Sequence, residues 1–203
     1  MFHFLRKLLL ISLGLLWLTP QLYSEVTVGQ PAPNFTLSDT LGKIYSLADF
    51  KGKNVVLEWF NYDCPFVAKQ YDSGSMQKLQ ETYTGKGIVW LAINSSAPGK
   101  EGNYSPDQLN KMAKSKKANP TAILLDSDGT VGRLYAAQTT PHMFIIDAAG
   151  NLVYQGAIDD IPSTDVTDIE KSHNYVRMAL DEILAGKPVT TSATKSYGCS
   201  VKY

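Results

Sequence analysis

The chain predicts an α/β domain built on a central mixed sheet flanked by helices, and three features carry that expectation. Apolar runs of strand length alternate with stretches of helical spacing, the pattern of a sheet with a mostly parallel centre. Two of those runs, Lys53 to Phe60 and Gly87 to Asn94, are almost continuously apolar, as strands covered on both faces must be. The order then changes near the end: Met143 to Asp147 and Leu152 to Gln155 are adjacent strands joined by Ala148-Ala149-Gly150-Asn151, and a helix follows them.

Taken in order, residues 1–24 read as a secretory signal peptide. Arg6 and Lys7 supply the charge, Leu8 to Leu18 the uncharged apolar core, Thr19-Pro20 the break, and Ser24 a small residue for cleavage before Glu25. The core is shorter than the about 20 apolar residues that span a bilayer. An exported product, periplasmic or secreted, is expected; an uncleaved anchor is the competing reading, because Leu22 is large for its place. Residues 25–203 suffice for one compact domain with a tail over 186–203. An N-terminal hairpin extension is expected from Phe35 to Leu37 and Lys43 to Leu47 around the turn residues Asp39-Thr40-Leu41-Gly42. After the strand Lys53 to Phe60, residues 65–83 read as a helix interrupted at Ser73-Gly74-Ser75. Gly87 to Asn94 is the next strand, and Ser95 to Asn103 a Gly/Pro/Ser loop. Ser105-Pro106-Asp107-Gln108 is a helix start in which Ser caps, Pro takes the first position and Gln completes a capping box. Ala122 to Leu125 is a short strand, and Asp126-Ser127-Asp128-Gly129 leads into a short helix through Tyr135. Thr167 to Leu184 is the last long helix, closed by Gly186 and Pro188.

Composition narrows the function. The 203 residues carry 19 basic and 19 acidic side chains, with no basic stretch interleaved with aromatics, so nucleic acid is not an expected partner. Lys111, Lys114, Lys116 and Lys117 cluster at a helix end, where cations suit the dipole on a solvated face. No Cys/His/carboxylate cluster has metal-ligand spacing, and no metal or other cofactor is expected.

Chemistry concentrates at Cys64, which follows the buried strand and the break Asn61-Tyr62-Asp63 and opens a helix through Pro65. Free N–H groups and the positive dipole end at a helix start favour a thiolate, and proline fits the first turn. The plain alternative is a buried structural cysteine. Asp63 beside the thiol would oppose the helix end if close in space. Glu58, inside the same strand, is either a general base for thiol exchange or a strand-edge carboxylate facing solvent or a lysine. His142 and His173 lack placed partners and read as structural. Trp59, Phe60 and Trp90 read as core.

Several motifs carry a resemblance. Leu57 to Val67 is similar to the thioredoxin active-site segment, with Cys64 in the place of the attacking cysteine and Glu58 in that of a buried acid. Thr140-Pro141 before the strand Met143-Phe144-Ile145-Ile146-Asp147 resembles the cis-proline site that contacts a bound thiol partner. Gly29-Gln30-Pro31-Ala32-Pro33-Asn34-Phe35 resembles the opening of redoxin and peroxiredoxin domains. Tyr197-Gly198-Cys199-Ser200-Val201-Lys202-Tyr203 resembles the tail of a peroxiredoxin-like subgroup of the alkyl hydroperoxide reductase/thiol-specific antioxidant superfamily. The resemblance implies a thioredoxin-like fold and thiol-dependent chemistry, either thiol–disulfide exchange or peroxide reduction, with Cys64 as nucleophile. It implies a disulfide protein or hydroperoxide as substrate and an external thiol as reductant, with Pro65, Thr140 and Pro141 lining the partner groove. The chain departs from the pattern in that Val67 replaces the second cysteine of thioredoxins. Asn61, Leu57 and Pro141 stand where peroxiredoxins carry Thr or Ser, Pro, and the peroxide-polarising Arg. Asn61 is expected to offer a hydrogen bond to a peroxide, and Arg133 is the nearest arginine. Cys199, in a tail expected to be mobile, is the internal candidate to resolve oxidised Cys64. A structural Cys64–Cys199 bridge, two independent thiols, and a redox-silent binding module are the alternatives.

Overall fold

In the computed structural model, which describes residues 26–203, seven strands form one sheet in the order β2-β1-β5-β4-β3-β7-β8. The signal peptide expected over residues 1–24 lies outside the described residues. The strands are β1 (Thr36–Asp39), β2 (Ile44–Ser46), β3 (Val55–Trp59), β4 (Val89–Asn94), β5 (Ala122–Leu125), β7 (His142–Ile146) and β8 (Leu152–Gly156). β3, β4 and β5 run parallel; β7 is antiparallel to β3, and β8 to β7. A separate two-stranded ladder joins β6 (Thr139–Thr140) to β9 (Cys199–Ser200).

Alternation along β3 explains the two layers. Val55, Leu57 and Trp59 enter one core with Phe35, Leu91, Tyr135 and Phe144. Val56 and the loop residues Tyr62 and Cys64 enter the other. That second core is covered by α1 (Pro65–Asp72), α2 (Ser75–Thr84), α3 (Pro106–Ser115) and α5 (Tyr175–Leu184); α4 (Thr130–Leu134) packs on the first. All five β3 residues are buried, as the continuous apolar run requires.

Local chemistry sets the element ends. Asp39 closes the hairpin by accepting the Leu41 and Lys43 N–H groups at 2.8 Å each. The Ser105 capping box forms as expected. Gly74, at φ 78°, separates α1 from α2, a left-handed conformation that costs glycine little.

Two expectations change. The last helix starts at Tyr175, not Thr167: Asn174 caps it by accepting the Arg177 N–H at 2.8 Å. The preceding stretch holds only a 3-10 turn over Val166–Asp168, because Asp165 accepts the Thr167 N–H and Asp160 takes both the N–H and the ring nitrogen of His173. His173 therefore lies before the helix, exposed and hydrogen-bonded to Asp160. The tail, expected to be mobile, instead runs along β8 through Ser192 and Thr194 and ends as β9.

Candidate active site

Cys64 is the N-cap of α1, with Pro65 at the first helical position. Its N–H is satisfied within the loop by the Asn61 carbonyl at 3.0 Å, and its carbonyl accepts the Val67 and Ala68 N–H groups. The side chain is fully buried and points at β6, where Sγ donates to the Thr140 carbonyl at 3.0 Å. The Thr140–Pro141 peptide is cis, as expected, and faces the Cys64 loop.

β9 brings the second sulfur to the same place. Cys199 lies opposite Thr140 in the β6–β9 register, and the two cysteines, both free thiols, interact through their side chains. Burial pushes the Cys64 thiol up, but hydrogen bonds from the Cys199 thiol, from the otherwise unpartnered Thr140 hydroxyl and from the Cys199 and Val67 backbone outweigh it. The net effect is a lowered pKa. Cys199 moves the opposite way: burial raises it, and its proton is held by the hydrogen bond and the negative charge of Cys64. The arrangement makes the sulfur on the helix the more readily ionised of the two and the sulfur on the tail the one that holds its proton more tightly.

The tail is held by specific contacts. Tyr197 donates to Asp159 and packs edge-on against Phe66, with ring centroids 5.7 Å apart. The Val201 N–H reaches the Gln138 carbonyl at 3.0 Å, and the Lys202 carbonyl accepts the Ala97 N–H at 2.8 Å. Tyr203 lies across Gly129 and Gly132, where a Cβ at either position would collide with its ring, and donates to the Ala137 carbonyl. Arg133 stacks 4.5 Å above that ring, so this arginine serves the tail.

The remaining expected site residues divide. Glu58 is fully buried, which removes the solvent-facing and lysine-paired readings. Its carboxyl accepts Tyr71 Oη at 2.9 Å, Gln80 Nε2 at 3.1 Å and Trp90 Nε1 at 2.7 Å. Burial raises its pKa, and those three donors only partly offset the rise. Neither sulfur is among its hydrogen-bond partners; Tyr71 and Tyr62, in edge contact at 5.3 Å, stand next to it on the side of the Cys64 loop. Asn61 acts as a loop clamp: Oδ1 accepts the Asp63 N–H and Nδ2 donates to Glu101, both at 3.0 Å. Among the described residues no hydrogen bond joins its amide to the sulfur. Asp63 is engaged by Tyr104 Oη at 2.7 and 2.9 Å. His142 is buried and held neutral, its pKa lowered to about 4 by burial. Reading the chain alone missed Tyr62, Tyr71, Tyr197 and Gly198. Only the glycine directly before Cys199 offered a signal, as a residue suited to close backbone approach.

A family model described as the AhpC/TSA family matches residues 28–155, more than half of the chain. The chain belongs to the AhpC/TSA family. Among curated relatives of this AhpC/TSA protein is the thiol-disulfide oxidoreductase ResA of Bacillus thuringiensis, 29% identical over 131 residues, covering 64% of this chain and 70% of that one. Among solved structures, a hypothetical protein of Sinorhizobium meliloti aligns with TM-score 0.74 and 27% identity over 89% of this chain and 96% of its own. The thioredoxin domain of a Bacteroides vulgatus thiol-disulfide oxidoreductase shares the fold, with TM-score 0.51 and 22% identity, covering 72% of this chain and 98% of that one. The matched AhpC/TSA region contains Cys64 and the cis-proline site but stops short of the tail that carries Cys199.

Proposed function

We propose that the protein is an exported thiol–disulfide oxidoreductase whose redox couple is Cys64 and Cys199. One observation carries the reading: β9 seats Cys199 against the helix-capping Cys64, supplying from the far end of the chain the second thiol that Val67 denies locally. Disulfide exchange is favoured over peroxide reduction because Arg133 is committed to Tyr203 and Asn61 to its own loop. Among the described residues no helix is long and apolar enough to cross a membrane.

The steps follow from the charge arrangement. The Cys64 thiolate attacks one sulfur of a partner's disulfide; that S–S bond breaks, a Cys64–partner disulfide forms, and the partner's other sulfur leaves as thiolate. Cys64 then carries no charge, so two of the influences that held the Cys199 proton, the hydrogen bond to Cys64 and its negative charge, are gone. Cys199 can ionise and attack the Cys64 sulfur, forming Cys64–Cys199 and releasing the reduced partner. Two electrons pass from the protein's dithiol to the partner, and an external thiol restores the dithiol. Pro65 pre-shapes the helix start. Thr140 supplies the carbonyl and hydroxyl beside the sulfur, and Pro141 shapes the groove. Glu58 is the buried proton-holding group behind the cysteine helix.

The pH dependence of Cys64 alkylation tests the first step. Thiolate is the reacting form, so the rate should rise with pH through a midpoint below the ordinary value of 9.0. In Cys199→Ala a donor to the thiolate is lost, and the midpoint should move to higher pH; Cys199→Ser, which keeps a hydroxyl donor, should move it less. A wild-type midpoint at or above 9.0 would remove the nucleophile from this scheme.

A further inference from the structure

The β6 edge beside Cys64 is occupied by the protein's own tail, and the fit of that tail specifies what else the edge can hold. We propose that the edge formed by Thr139 and Thr140 takes an extended cysteine peptide of a partner, and that it admits one only when glycine precedes the cysteine. The segment Tyr197-Gly198-Cys199-Ser200 is the built-in example of such a peptide. The inference rests on the oxidoreductase reading above and specifies its substrate class.

Four observations carry it. Cys199 and Ser200 pair antiparallel with Thr140 and Thr139, the arrangement of an added strand, so recognition is by main chain and transferable to another peptide. The Thr140 carbonyl that accepts the Cys64 thiol also abuts Gly198 on its other side: a Cβ there would fall on the Thr140 oxygen, far inside van der Waals contact. Gly198 also has φ 139°, a backbone that side chains rarely adopt. A partner peptide that places its cysteine where Cys199 lies meets the same carbonyl with its preceding residue. Finally, no residue from Ala185 to Tyr203 is buried: Tyr197 and Val201 lie on the two cores as partly exposed cover, so release of the tail costs less than withdrawal of a buried element.

The reaction with such a peptide is balanced by disulfide exchange alone. With the peptide cysteine joined to an aromatic nitrothiobenzoate, the Cys64 thiolate attacks the peptide sulfur. The peptide–aromatic S–S bond breaks, Cys64–peptide forms, and the electron pair leaves on the coloured aromatic thiolate.

The test uses the full chain as Cys199→Ser and as Gly198→Ala/Cys199→Ser, the second to unseat the tail and the first in case the added methyl disturbs folding. Each is reacted with Tyr-Gly-Cys-Ser-Val and Tyr-Ala-Cys-Ser-Val carrying the aromatic group, and with the symmetrical aromatic disulfide, which has no backbone to pair. The glycine peptide should react at least about tenfold faster than the alanine peptide on both variants. It should also react faster with the double variant than with Cys199→Ser, because the edge is open. Equal peptide rates, with the symmetrical reagent reacting readily, would overturn the glycine requirement and leave the oxidoreductase reading standing. A Cys64 inert to all three reagents would overturn both.

Discussion

Cys64→Ser should bring turnover of a protein disulfide to background, and Cys199→Ser should give one equivalent of reduced partner and then stop. The asymmetry follows from where each sulfur sits. Cys64 caps α1 and is the thiol held low by its neighbours, so it alone is ready to attack. Cys199 keeps its proton until Cys64 has reacted. Without Cys199 the mixed disulfide has no internal nucleophile, since Val67 occupies the local second position and is fully buried. Mass spectrometry of the peptide containing Cys64 should find the trapped partner adduct in stoichiometric yield. Sustained cycling of Cys199→Ser at the wild-type rate would show that Cys199 is no resolver and that an external thiol acts directly on the adduct.

Glu58→Ala should lower unfolding free energy by about 3–5 kcal/mol in denaturant titration. Tyr71, Gln80 and Trp90 all donate to this one carboxyl inside the core; truncation leaves the Tyr71 hydroxyl and the Trp90 N–H without that acceptor, each costing about 1–3 kcal/mol, while Gln80 keeps its bond to Tyr71 Oη and relief of carboxyl burial offsets part of the loss. Glu58→Gln should cost less, because one amide oxygen still accepts. The pH dependence separates the roles. The folded pKa of Glu58 lies above its ordinary 4.5, so the native state keeps a proton that the unfolded chain releases. Its contribution is therefore fully present below pH 4.5 and is lost as pH rises through the folded value. Glu58→Gln should flatten stability over that window, and an unchanged slope would mean that Glu58 is not the group holding the proton.

Much of this was legible in the chain because it depended on local pattern. Val55 to Phe60 must be buried on both faces, Ser105 to Gln108 must start a helix, and Cys64-Pro65 must cap one. Those signals act over a few residues, and the structure keeps them. Glu58 was readable as a costly buried acid, but not its partners, since Gln80 and Trp90 reach it only after α2 and β4 have packed. The start of α5 was misplaced because Asp160, distant in sequence from Asn174, takes the His173 groups that a longer helix would have used. The tail was least legible. A polar segment has no periodicity, and its order comes from edge pairing, the Tyr203 seat on two glycines, and the meeting of Gly198 with Thr140, all contacts across more than fifty residues.

The most direct test of the central claim is a redox titration of the wild-type chain in thiol–disulfide buffers, read by non-reducing peptide mapping. The two-cysteine couple predicts one species that appears and disappears reversibly, a peptide pair joined through Cys64 and Cys199, with no mixed adduct accumulating at equilibrium. Cysteines that remain unlinked across the whole range, or a bridge that no excess of dithiol reduces in the folded protein, would contradict it.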